Sequence, residues 1–168
     1  MLVLFWDASA LAKRYAREFG SDVANFLFEQ RPSLTMASTP WGYVETFSIL
    51  RRRLNSNAIN ITSFEAAVSS LQAEVFQNDA FALLTISDED IFESIEMIRK
   101  HNLNSTDSAI LTVVLATNNS PDAPVIIVVA SDKRLLRAAE LEGLRTLNPE
   151  EMPLSELPAF ISSLEAVL

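Results

Sequence analysis

The sequence predicts an α/β domain with a mainly parallel sheet. Short apolar runs alternate with longer amphipathic stretches along the chain, the pattern of strand–helix–strand units. The clearest run, Val125-Ile-Ile-Val-Val129, carries no polar residue and reads as a buried strand. No internal repeat or linker divides the 168 residues, so one domain is expected. Residues 1–148 would hold its working part. Residues 149–168 would form a tail with a short helix, within the same domain.

The elements come in order. Residues 2–6 are apolar and predict a first strand. Ala8 to about Phe19 reads as a helix closed by Gly20 in the C-cap role. Ser21 to Gln30 predicts a further helix, and Leu34 to Ser38 a second strand. Thr39-Pro40 opens a helix running to about Leu54, with a hydroxyl cap and proline in its first turn. Asn55 to Asn60 reads as a polar turn. Thr62-Ser-Phe-Glu65 resembles a capping box and starts a helix to about Gln77. Phe81 to Ile86 predicts a strand, and Ser87 to Lys100 a helix capped by Ser87 or Asp88. Ser105 or Thr106 is expected to cap a helix to about Thr117, before a loop at Asn118 to Pro124. After Val125–Val129, Asp132 opens a helix that Gly143 ends. Leu144 to Leu147 reads as a last short strand. Pro149, Pro153 and Pro158 interrupt the rest of the chain, where a short helix begins at about Ala159.

The composition removes whole classes of function. No cysteine is present, which excludes disulfides, zinc-thiolate sites and cysteine nucleophiles and suits a reducing cytoplasm. No apolar run approaches the roughly 20 residues of a membrane span, and the first run lacks the basic lead of a signal peptide. The three glycines, Gly20, Gly42 and Gly143, cannot write a phosphate-binding glycine loop. The one histidine, His101, falls at an expected helix end, where the dipole alone favours it. Carboxylate chemistry remains, and carboxylates without histidine partners suit Mg²⁺ or Mn²⁺.

A formal net charge of −9 argues against nucleic acid, because phosphate contacts need cations. The distribution offsets this. Lys13, Arg14 and Arg17 follow Asp7; Arg51, Arg52 and Arg53 follow Glu45; Lys133, Arg134 and Arg137 follow Asp132. These nine of the 13 basic residues each lie within ten positions after an acid. They are equally readable as solvated helix faces with ordinary charge pairs.

Asp7 and Asp132 each follow an apolar strand and precede a helix. Ligand sites gather at the carboxyl ends of parallel strands, so the two acids would face a common point if their strands are neighbours. Asp is also a good N-cap, and the two roles are compatible. Asp107 has the same ambiguity in the first turn of its helix. Glu45 lies among Trp41, Val44, Phe47 and Ile49 in a helix that reads as mostly buried, where a carboxylate needs a partner: Arg52 two turns on, or a metal ion.

Four segments together resemble the PIN-domain family. Phe5-Trp-Asp7-Ala-Ser9 is similar to its opening strand and Asp-x-Ser. Tyr43-Val-Glu45-Thr-Phe-Ser-Ile-Leu-Arg51 resembles its helical Glu motif. Ser105-Thr-Asp107-Ser-Ala-Ile-Leu and Val128-Val-Ala-Ser-Asp132 through Gly143 resemble the third and fourth. The order is right and the span is about residues 2–147. Ala130 stands where the family often has a hydroxyl, with Ser131 beside it, and the 118–124 loop and the tail exceed compact members. The resemblance is strongest to the ribonuclease toxins of VapBC-type toxin–antitoxin modules. It implies a three-layer α/β/α sandwich, a site of Asp7, Glu45, Asp107 and Asp132 holding Mg²⁺ or Mn²⁺, and hydrolysis of RNA. Ser9 and Ser131 would support the acids. Lys13, Arg14, Arg51, Arg52, Lys133 and Arg134 would hold the RNA backbone. Trp6, Trp41 and Tyr43 are stacking candidates that core packing explains as well. An antitoxin protein and a second copy of the chain are the implied partners. Two other readings stay open: a catalytically silent protein-binding module, and a phosphotransferase with Asp7 as nucleophile, for which Asp7-Ala8-Ser9 lacks a second Asp.

Overall fold

The computed structural model describes residues 1–29, 34–121 and 123–165. The expected helix end at Gln30 and one position of the 118–124 loop lie outside them. Five parallel strands form one sheet in the order β3-β2-β1-β4-β5. They are β1 (Leu2–Trp6), β2 (Thr35–Ser38), β3 (Phe81–Leu83), β4 (Val125–Val129) and β5 (Arg145–Leu147). Eight helices connect and cover them among the described residues: α1 (Ala8–Tyr15), α2 (Ser21–Glu29), α3 (Pro40–Asn55), α4 (Ile61–Leu71), α5 (Asp88–His101), α6 (Ser105–Asn118), α7 (Lys133–Leu141) and α8 (Leu157–Glu165). A π-helical turn, Gln72–Phe76, extends α4. No helix of the described residues is long and apolar enough to cross a membrane.

Side chains alternate across a strand, and β1 is buried on both faces. Leu2, Leu4 and Trp6 join Met36, Ile127 and Val129 on one side, under residues of α1, α2, α3, α4 and α8. Val3 and Phe5 join Ala37, Ile126 and Val128 on the other, under α6 and α7. Each fully buried Leu, Ile or Val contributes about 1.5–3 kcal/mol by leaving water. These two clusters make the α/β/α sandwich. Trp6 is fully buried and its indole N–H points at Met36 Sδ, 3.0 Å away, so it is core and does not stack on bases.

Several boundaries differ from expectation, each for a local reason. α1 stops at Tyr15 because Ala16 is extended; Lys13 Nζ then donates to Phe19 O at 3.1 Å. Gly20 is no C-cap of α1. It has φ +85°, and a Cβ there would meet Pro149 O at 2.8 Å, so the turn into α2 needs glycine. Asn60, not Thr62, caps α4 through Ser63 N, and Asn104, not Ser105 or Thr106, caps α6 through Asp107 N. β3 ends at Leu83. Ser87 caps α5 in a full capping box with Asp90, and Gly143, at φ +82°, follows the end of α7. α3 buries only Gly42, Thr46 and Leu50, a narrow stripe at four-residue spacing. Trp41, Val44 and Phe47 are exposed, so this helix is less buried than its apolar content suggests.

Candidate active site

The sheet order places β1 next to β4, in register from Leu2 beside Val125 to Trp6 beside Val129. From β1 the chain moves outward to β2 and β3, then crosses back to β4 and β5. The β1/β4 boundary is therefore the switch point, and in open parallel sheets ligands gather there, outside the carboxyl ends of the strands. Asp7 and Asp132 follow these two neighbouring strands.

Asp7 is buried. Its N–H donates to Val129 O at 3.0 Å, and it caps α1. Its Oδ2 accepts from Ser9 N at 2.9 Å and from Ser9 Oγ at 2.5 Å, leaving Oδ1 over. The same Ser9 hydroxyl accepts from Ser131 N at 2.9 Å and Asp132 N at 3.3 Å. One donor and two lone pairs are thereby all used, and β1's motif is stitched to β4's. Asp132 caps α7 with Oδ1, which accepts from Arg134 N at 2.7 Å and Leu135 N at 3.2 Å. Capping and a place at the site thus coincide in both residues.

Asp107 sits in the first turn of α6. Asn104 grips it twice: Asn104 Nδ2 donates to Asp107 Oδ2 at 2.7 Å, and Asp107 N donates to Asn104 Oδ1 at 2.8 Å. Asn104 is a site residue that the capping expectation at Ser105 or Thr106 does not include, although an Asn three residues before an Asp is the polar analogue of a capping box. Glu45 is half-buried on α3, beside the buried Thr46. Arg52 tempers its charge from a distance but makes no salt bridge with it.

Electrostatics links the four acids. Burial holds the Asp7 carboxyl above its ordinary range against the Ser9 hydrogen bonds, with Asp132 adding repulsion. Burial also raises Glu45, with Asp7 second. Asp107 is pushed up to about 6, by burial first and then by the charges of Asp7, Asp132 and Glu45. Four separate elements thus aim carboxyl groups into one shared field. They do not form a closed cage: among the described residues, no three Asp, Glu, His or Cys side chains converge closely enough to hold a metal ion as they stand. The expected four-carboxylate cluster is looser than the motifs suggested.

The donors nevertheless fit a hydrated divalent cation. They are all oxygen, with no histidine or thiolate, which suits Mg²⁺ or Mn²⁺. Mg²⁺ keeps several waters and takes only one or two carboxylates directly. Ser131 Oγ and Ser108 Oγ, next in sequence to Asp132 and Asp107, are buried without a hydrogen-bond partner among the described residues, so the site holds polar capacity that the chain does not use.

The basic residues divide. Lys13 is 3% exposed, and its ammonium is held by Glu150 at 2.6 Å, Glu18 at 3.4 Å and Phe19 O. It is a structural cation and not an RNA contact. Arg14 is taken by Glu74 and Asn25 and lies over the Phe28 ring. Lys133 is exposed but paired with Glu151 at 2.8 Å. Arg51 is exposed near the Phe64 ring, and Arg52 and Arg134 are exposed. Of the stacking candidates besides Trp6, Tyr43 packs on Phe76, while Trp41 is 61% exposed in an apolar groove with Ile86, Ile91 and Thr106, next to Asp107. His101 is engaged by Glu142 at 2.5 Å.

No protein-family model matches the chain, and no curated protein matches it in sequence. Among solved structures it is similar to PAE2754 from Pyrobaculum aerophilum, at 14% identity and a TM-score of 0.60, covering 99% of both chains. It is also similar to FitAcB from Neisseria gonorrhoeae, at 10% identity and a TM-score of 0.51, covering 90% of this chain and 100% of that one. At these identities the likeness is one of fold, and the fold is the PIN-like α/β/α sandwich with a parallel sheet.

Proposed function

We propose that the chain is a metal-dependent endoribonuclease that hydrolyses RNA phosphodiester bonds at Asp7, Glu45, Asp107 and Asp132. The observation that carries this reading is the raised carboxyl of Asp107, pushed up by burial first and then by the charges of Asp7, Asp132 and Glu45 from three other elements. Folding places like charges together at a cost, and such perturbed clusters are a mark of functional sites. Mg²⁺ or Mn²⁺, when bound, supplies the counter-charge and lowers the pKa of a bound water toward neutrality. The chain's own residues supply the rest. Ser9 fixes the Asp7 carboxylate and, through the Ser131 and Asp132 amides, sets its relation to Asp132. Asp7 and Asp132 are assigned as direct ligands. Glu45 and Asp107 orient the attacking water. Asp107, ionised once a cation offsets the neighbouring acids, is assigned to take that water's proton as the water oxygen bonds to phosphorus and the leaving ribose oxygen departs, to be protonated from solvent.

The toxin role rests on the motif resemblance, as do an antitoxin partner and a homodimer, while a cytoplasmic location rests on the absence of cysteine. The exposed apolar residues Trp41 and Val44 on α3 and Ile91 on α5 give a protein partner a surface beside the acids. Single-stranded or looped RNA fits best, because its backbone can be drawn into a crevice. A labelled RNA should be cut only with Mg²⁺ or Mn²⁺, and Asp7→Asn and Asp132→Asn should abolish cutting while keeping the circular dichroism spectrum. Cleavage retained by both variants in a clean preparation would sink the assignment. One observation favours a second reading, a catalytically silent binding module: the acids do not close into a metal cage among the described residues. Metal-independent behaviour together with tight capture of a protein partner would bring that reading forward.

A further inference from the structure

Beside the acids lies a surface of opposite charge. The last turn of α5 carries Arg99, Lys100 and His101, and one face of α7 carries Arg134 and Arg137. These segments are distant in sequence, yet the fold makes them walls of one cleft of about 240 Å³. His101 Nε2 and Lys100 Nζ both reach Glu142 Oε1, at 2.5 and 2.6 Å, which ties the end of α5 to the end of α7. Arg99 is offset by Glu96 on its own helix. Arg134 and Arg137 pair with no carboxylate among the described residues. In a chain of net charge −9, this cleft keeps a local surplus of positive charge.

The cleft adjoins the candidate site on both walls. The backbone N–H of Arg134 donates to Asp132 Oδ1 at 2.7 Å. From the other wall, α5 passes through Asn102 and Leu103 to Asn104, whose amide holds Asp107 Oδ2 at 2.7 Å. An acidic pocket repels a polyanion, so a strand whose phosphate enters it needs cations just outside. Guanidinium groups meet phosphate oxygens in a paired geometry that suits this task.

We propose that the α5–α7 cleft binds the backbone phosphates of the RNA strand next to the bond that is cut, through Arg134 and Arg137 on one wall, while Arg99 and Lys100 on the other, held by Glu96 and Glu142, add to its positive field. This rests on the nuclease reading and replaces Lys13, Arg14 and Lys133 as the backbone contacts. The test is fluorescence anisotropy with an end-labelled single-stranded RNA of about 12 nucleotides, in chelator to prevent cutting, from about 50 to about 200 mM salt. The paired variant Arg134→Gln with Arg137→Gln should bind about tenfold more weakly at low salt. Its slope of log affinity on log salt should fall by about 1.4, since each phosphate contact on a single strand contributes about 0.7. Arg99→Gln with Lys100→Gln should act in the same direction. Arg17→Gln, an exposed cation beyond the far end of α1, should change neither quantity. If the unaltered protein binds and cuts RNA while both paired variants bind as it does, the cleft is overturned and the nuclease reading stands. An equal loss in Arg17→Gln would mean diffuse attraction and would also overturn the cleft. If the unaltered protein neither binds nor cuts RNA, both readings fall together.

Discussion

The Ser9 hydroxyl lies 2.5 Å from Asp7 Oδ2, and it is the hinge pin of the candidate site. It donates to the acid after β1 and accepts from the amides of Ser131 and Asp132 after β4. Ser9→Ala removes three hydrogen bonds and leaves two amides without their acceptor. Each unsatisfied partly buried group costs about 1–3 kcal/mol, and loosening two loops recovers part of that. The expected loss is about 1–2 kcal/mol, a fall of roughly 2–8 °C in Tm for a chain of this size. Cleavage should fall further than stability explains, by an order of magnitude or more, since small misplacements are costly in catalysis. A Ser9→Ala protein that cuts at the normal rate would show that Ser9 only caps.

Metal-free stability should depend on pH through Asp107. Its folded pKa, about 6, exceeds its ordinary value of 3.8. A raised carboxyl holds its proton more tightly when folded. Its contribution is therefore fully present below about 4 and is lost as pH rises through 6. In chelator, Asp107→Asn should make the protein more stable than the natural chain at pH 7.5. The gain should be about 1 kcal/mol, well under the face value of the shift, because the half-exposed group is screened by solvent. The gain should shrink toward pH 4.5. Urea unfolding at both values decides it, and a variant no more stable at pH 7.5 would contradict the shared field.

Mg²⁺ or Mn²⁺ should reverse that penalty. A ligand that binds only the folded state adds RT ln(1 + [L]/Kd), about 2.7 kcal/mol at a hundredfold excess over Kd. The rise in Tm should vanish in Asp7→Asn. No rise at several millimolar metal would mean that the open arrangement of acids needs substrate to close it, and would strengthen the silent-module reading.

Much of the fold and site is legible in the sequence, and the exceptions have physical causes. β1 and β4 are readable because unbroken apolar runs of this length suit buried strands. Their adjacency is not, because sheet order depends on contacts distant in sequence; the motif resemblance implies only that their acids share a site. Asp7 and Asp132 are legible as both caps and site residues. Both cap their helices and both sit at the switch point. Asn104 was missed because Ser105 and Thr106, equally good caps, stand next to it. The composition of α3 suggests a mostly buried helix, but only Gly42, Thr46 and Leu50 are fully buried. Trp41 and Val44 are exposed near the acids, where apolar content marks a surface and not a core. Proximity in sequence misleads most for cations. Lys13 follows Asp7 by six residues, yet α1 turns its ammonium toward Phe19 and Glu150.

Lys13 shows how far a cation can be structural. Its ammonium is buried against Glu150, Glu18 and Phe19 O, fastening the tail's first turn to the end of α1. A buried ion pair is often replaceable by an apolar residue of similar volume at little net cost. Lys13→Met should therefore stay within about 1 kcal/mol of the natural chain, because Glu18 keeps Arg53 and Glu150 is part-exposed. Lys13→Glu should destabilise by about 3 kcal/mol or more, since it buries a third carboxylate against the other two. Strand binding should separate structure from recognition. Loss of a phosphate contact weakens binding across all sequences and lowers the salt slope, so Lys13→Met should leave both unchanged. A reduced slope in this variant would return Lys13 to the RNA-binding surface and require the tail to open when RNA binds.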